Sequence, residues 1–151
     1  MKLFKTIDKV LAGFGNIKAM ERTHVDTFTE NEILKTKGEK IAESNNGGIW
    51  IEYEELAGFD FMNATILSNV NIKTFKGSKL SFLGNQEKLI INSDTIEIES
   101  DYSNVSNRWI TKISYIVTQK DIDFIQKREF NQITIEFKKT TINFFALPIN
   151  H

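Results

Sequence analysis

The clearest evidence for the fold class is the segment NNGGIWIEYEE, residues 45–55. In it, turn-forming residues are followed by a regular alternation of two sets of side chains. Asn and Gly tolerate positive φ, so residues 45–48 predict a tight turn. In residues 49–54, three apolar side chains alternate with Trp50 and two glutamates. A period of two places the two sets on opposite faces of a strand. The stretch therefore predicts a half-buried β-strand that begins directly after a turn.

Similar segments recur along most of the chain, which predicts a mainly antiparallel sheet. Strands are expected at residues 66–73, 80–82, 89–91, 96–98, 109–117, 133–138 and 142–147. Because strands and helices do not alternate, a doubly wound or barrel α/β fold is not expected. The pattern indicates an antiparallel α+β domain, or a sandwich with an appended helix. With 151 residues and no visible linker or repeat, residues 1–151 are predicted to form a single domain.

Two helices are predicted from periodicity and end signals. The N-terminal helix has apolar residues at spacings of three and four, with lysines on the opposite side. Its apolar positions are Leu3, Phe4, Ile7, Val10, Leu11 and Phe14. The second helix is short and lies near residues 119–128, where Thr118 and Asp121 form a capping box. Acidic residues begin this helix and basic residues end it, as the helix dipole favours.

Residues 29–44 are compatible with two structures. Thr29 and Glu32 have the spacing of a capping box, which favours a helix that runs to about Ser44. Gly38 in the middle of the segment instead favours a hairpin that turns there. We prefer the hairpin.

The last predicted strand, residues 142–147, is apolar on both faces. One face can pack on the sheet, and the other needs a cover. The N-terminal helix has a suitable apolar stripe, and a partner subunit is the alternative cover.

The sequence offers little for chemistry. It has no cysteine, two histidines and no Gly-x-Ser-x-Gly motif, so no catalytic residue, metal site or cofactor is predicted. Glu97, Glu99 and Asp101 form a carboxylate ladder along one predicted strand face, which is the kind of oxygen set that binds cations. A solvated strand face produces the same pattern, and we favour that interpretation.

Large apolar residues are the other candidates for a site. Phe59, Phe61 and Met62 lie just after Gly58 in a segment that we interpret as a loop or sheet edge. If they are exposed, they form a candidate ligand or partner surface together with Trp50 and Trp109, and if they are buried, they are ordinary core.

The charge distribution limits the partners. The net charge is −1, and the basic stretch 73–82 contains phenylalanines but no arginine, so no nucleic-acid partner is expected. Residues 1–22 carry five basic and two acidic side chains, or +3. A basic amphipathic helix can bind a membrane surface peripherally, but covering the sheet is the preferred role. We see no signal peptide and no membrane span, which predicts a cytoplasmic protein.

The sequence therefore predicts a non-catalytic interaction or scaffold domain that self-associates through sheet faces or edges. The alternative is a carrier of an apolar small molecule, held between the N-terminal helix and a curved sheet.

Overall fold

The computed structural model describes residues 27–45 and 47–148, in which two helices accompany a nine-stranded sheet. The elements are α1 (Phe28–Leu34), β1 (Glu39–Ser44), β2 (Gly47–Leu56), β3 (Phe59–Ser68), β4 (Lys79–Gly84), β5 (Lys88–Asn92), β6 (Ser100–Ser103), β7 (Arg108–Val117), α2 (Gln119–Lys127), β8 (Phe130–Phe137) and β9 (Thr140–Ala146). The predicted N-terminal helix lies outside the described residues. None of the described helices is long and apolar enough to span a membrane.

All strand pairs in the sheet are antiparallel, in the order β5-β4-β8-β9-β1-β2-β3-β7-β6. The mainly antiparallel prediction is therefore confirmed. The sandwich alternative is wrong for the described residues, because their strands form one sheet and not two stacked ones.

The sheet curls into a half-barrel. The stretch that follows β5 reaches β7 near the far end of the strand order, where the Asp94 amide donates to the Ser114 carbonyl at 2.7 Å. The Ser114 amide in turn donates to Thr95 Oγ1 at 3.0 Å. These bonds hold the two ends of the sheet close together, so one face of the sheet is concave and the other convex.

The concave face holds the main hydrophobic core. Alternate residues of nearly every strand point inward and are buried. The largest fully buried side chains are Tyr115, Phe82, Phe144, Ile41, Ile49, Met62, Ile66, Ile72, Leu80, Ile98, Ile113 and Ile125. Burial raises the pKa of Tyr115, whose hydroxyl lies 3.3 Å from Ser78 Oγ.

The second predicted helix is confirmed as α2. Thr118 Oγ1 accepts a hydrogen bond from the Asp121 amide, and the Asp121 carboxylate accepts one from the Thr118 amide, which completes the capping box. Ile122 and Ile125 face the core, as expected. Arg128 ends the helix with a φ of 56°.

Neither predicted structure for residues 29–44 is correct. The segment begins as α1, whose N-cap is Thr27, so Thr29 and Glu32 do not form the expected capping box. The helix ends at Leu34, and the chain turns at Gly38, where φ is +99°, before it enters β1. Ile33 anchors α1 on the convex face in a small second core, which contains Leu67, Ile110 and Trp50.

A carboxylate holds the first turn of α1 on the loop between β6 and β7. Ser103 Oγ and Ser106 Oγ each donate a 2.6 Å hydrogen bond to Glu30 Oε1. The pKa of Glu30 is lowered below its ordinary value of 4.5. The largest cause is the hydrogen bond from Ser103, followed by the hydrogen bond from Ser106, and the nearby Arg108 guanidinium adds to them. Desolvation acts in the opposite direction and raises the pKa.

This lowered pKa predicts an acid-sensitive attachment of α1. The stabilisation is fully present above the unfolded pKa of about 4.5 and is lost as the pH falls through the lower folded value. We expect Glu30→Gln to remove this part of the pH dependence, with hydrogen exchange of the α1 amides as the measurement. An identical pH dependence of exchange in both proteins would contradict the assignment.

Several strand assignments differ from expectation. Residues 96–98, predicted as a strand, precede β6 and belong to no strand, although Ile98 makes an isolated bridge with Thr74. The segment interpreted as a loop or edge, residues 56–62, holds the Ala57-Gly58 turn and the start of β3. The strand then ends at Ser68, so residues 69–73 do not continue it. In β9, Phe144 is fully buried and Phe145 is 67% exposed. What covers the outer face of β9 stays a prediction.

Candidate functional site

The five residues of the predicted partner surface do not form one surface. Met62 is fully buried in the concave core, which corrects its assignment as a surface residue. Trp109 is half-buried, with its ring 4.8 Å from the ring of Tyr102. Trp50 lies in the second core beneath α1, and Lys40 Nζ sits 5.3 Å from its ring centroid. Phe59 and Phe61 remain, and they share the convex face of β3.

These two phenylalanines belong to an apolar cluster that sequence reasoning only partly found. Leu56 pairs with Phe59 across the β2–β3 turn, and Phe61 pairs with Ile116 of β7. Leu56, Phe59 and Ile116 are 54%, 58% and 44% exposed. We call these four residues the hairpin-end patch. Ile116 was missed because the pairing of β3 with β7 spans more than fifty residues.

The patch is placed by a tight turn. Ala57 and Gly58 have φ values of 54° and 84°, the left-handed pair that closes a two-residue hairpin. This turn puts Leu56 directly opposite Phe59 at the end of the sheet. The apolar side chains therefore project from a rigid scaffold.

The surroundings of the patch are acidic. Residues 47–68, which form β2, β3 and their turn, contain Glu52, Glu54, Glu55 and Asp60 but no lysine, arginine or histidine. Glu54 lies directly across from Phe61 and accepts a 2.7 Å hydrogen bond from Asn63 Nδ2. Glu52 and Glu54 lie on the same face as the patch, whereas Glu55 and Asp60 pair on the opposite face of the hairpin end, and Lys112 lies farther along the patch face, opposite Thr65. The glutamate beside the apolar centre favours a partner that is apolar and basic.

The predicted carboxylate ladder is not assembled as a cation site. Glu97 and Glu99 precede β6, and only Asp101 lies in it; all three are exposed. Lys73 Nζ lies 3.8 Å from Glu99. Within residues 27–45 and 47–148, no three His, Asp or Glu side chains come close enough together to hold a metal ion.

A groove of about 540 Å³ separates the end of α1 from β2, β3 and β7. Its charged lining is mixed: Glu32, Lys35, Lys37, Glu52 and Lys112. Glu32 and Lys112 pair at 3.2 Å. The lining therefore combines three lysines with two glutamates, and the chemistry of a ligand does not follow from it.

One buried polar group lacks a partner among the described residues. Tyr53 Oη is buried without a hydrogen bond. Burial is the largest cause that raises the pKa of Tyr53 to about 12, and the negative charge of Glu39 adds to it. The positive charge of Arg128 lowers the pKa by a smaller amount. Arg128 Nη2 lies 2.7 Å from Glu39 Oε2, and Arg128 Nη1 donates to the Leu147 carbonyl at 3.2 Å. This arrangement ties the end of α2 to β1 and to the end of β9, a structural role.

Trp50, Phe59 and Phe61 lie on the convex face, whereas the concave face is lined by buried core side chains. The N-terminal helix that would close a small-molecule cavity lies outside the described residues, so that alternative stays a prediction. No protein-family model, curated protein or solved structure matches this chain, so the hairpin-end patch is interpreted from its own residues.

Proposed function

We propose that this chain is a non-catalytic interaction domain that self-associates through the hairpin-end patch. The observation that supports the proposal is the adjacency of Leu56, Phe59, Phe61 and Ile116 on the convex face. Three of these side chains are roughly half exposed, although a strand face of this kind is normally polar.

The energetics favour covering this patch. Burying apolar surface contributes about 25 cal/mol per Å², and aromatic side chains are the commonest anchors in protein interfaces. Phe59 stands at the turn, where a partner reaches it without colliding with the rest of the sheet. The described residues also bring together no charged cluster with an evident catalytic use.

A variant at the centre of the patch tests the proposal. Phe59→Ser is expected to raise the dissociation constant of self-association at least about tenfold, the usual effect of removing an anchor residue. Sedimentation equilibrium over a range of protein concentrations is the measurement.

Phe145→Ser is the matched control, because Phe145 is equally exposed on the outer face but lies on β9, away from the patch. We expect this variant to associate like the unchanged protein. A strictly monomeric unchanged protein, or a weakening by Phe145→Ser and not by Phe59→Ser, would refute the proposal.

A further inference from the structure

We infer that the hairpin-end patch of one copy binds the basic amphipathic segment, residues 3–14, of a second copy. This inference rests on the proposed function and specifies its partner. Two copies that exchange these segments fill two patches and form a closed dimer, which is a common route to self-association.

Charge is the first argument. The β2–β3 hairpin carries four acidic side chains and no basic one, while residues 1–22 carry five basic and two acidic ones, or +3. If two patches met face to face, Glu52 and Glu54, which share the patch face, would oppose the same residues of the other copy and weaken the contact. A basic partner removes this repulsion.

Size is the second argument. A stable interface buries about 800 Å² on each partner, more than the three half-exposed side chains and the partly buried Phe61 of the patch provide if a flat face packs on them. An amphipathic helix instead inserts anchors at spacings of three and four into a small apolar site. The stripe of Leu3, Phe4, Ile7, Val10, Leu11 and Phe14 has this spacing.

The test uses two full-length variants that each carry one defect. Ile7→Ser interrupts the apolar stripe and leaves the patch intact, and Phe59→Ser does the reverse. We expect each variant alone to associate at least about tenfold more weakly than the unchanged protein. Mixed in equal amounts, they are expected to form a one-to-one dimer, because one intact segment meets one intact patch.

The possible results separate the inference from the proposed function. If Ile7→Ser associates like the unchanged protein while Phe59→Ser does not, the patch is an interface but its occupant is another surface, and the inference fails alone. If neither variant associates and the mixture does not either, the segment does not cross between copies, which also overturns it. If the unchanged protein is monomeric, both fail.

Discussion

Phe144→Ala is expected to lower the free energy of unfolding by about 3–5 kcal/mol, the usual cost of removing a phenylalanine ring from a packed interior. Phe144 is fully buried in the concave core and lies opposite Ile133 of β8. The loss combines reduced burial of apolar surface with a cavity that the neighbouring strands fill only in part. Urea denaturation followed by circular dichroism measures it.

The adjacent residue provides a control on the same strand. Phe145→Ala removes the same ring from a side chain that is 67% exposed on the outer face. We expect its cost to stay within about 0.5 kcal/mol, as for most surface substitutions. Similar costs for the two variants would show that the outer face of β9 is covered in solution.

Gly38→Ala is expected to destabilise the protein by at least about 2 kcal/mol, because strain and collision act together. Gly38 has a φ of +99°, a conformation that side chains other than glycine rarely adopt. A Cβ atom there would also lie 2.5 Å from the Ile51 carbonyl oxygen, which belongs to the neighbouring strand backbone. The connection between α1 and β1 would have to shift.

A second glycine separates the two contributions. Gly58 also has a positive φ, +84°, but no atom lies within 4 Å of the position that a Cβ would take. Gly58→Ala is therefore expected to cost only the backbone strain, about 1 kcal/mol. Thermal unfolding of both variants gives the comparison, and equal costs would show that the contact with Ile51 is relieved easily.

The structure changes the meaning of the unequal charge distribution along the chain. The net charge of −1 is the sum of unequal local charges, which include an acidic β2–β3 hairpin and a basic N-terminal segment. Because Glu52 and Glu54 share a face of the hairpin with Leu56, Phe59 and Phe61, part of this acidic charge borders the exposed apolar patch. The salt dependence of the dissociation constant would measure how much electrostatic attraction contributes to self-association, since exposed charges are screened within about 8–10 Å at ordinary ionic strength.

Features that depend on residues close in the sequence could be predicted. The capping box at Thr118 and Asp121 places its two partners within one turn, and α2 begins there as expected. The alternation in residues 49–54 likewise gave the faces of β2, because the period of a strand does not depend on its partners. The helix α1, which ends ten residues before the helical alternative for residues 29–44, shows the limit, since Ile33 finds its apolar partners Leu67 and Ile110 only after the sheet has formed.

The strand periodicity, the inward and outward faces of most strands, and the position of α2 follow from the order of the amino acids, because each depends on contacts within a few residues. The curl of the sheet, the burial of Met62 and the contact of Phe61 with Ile116 depend on the folded chain. Strand order and register join residues far apart along the chain, and no local pattern encodes which distant strand a given face will meet. The candidate surface arises from one such pairing, so it emerged only from the folded chain.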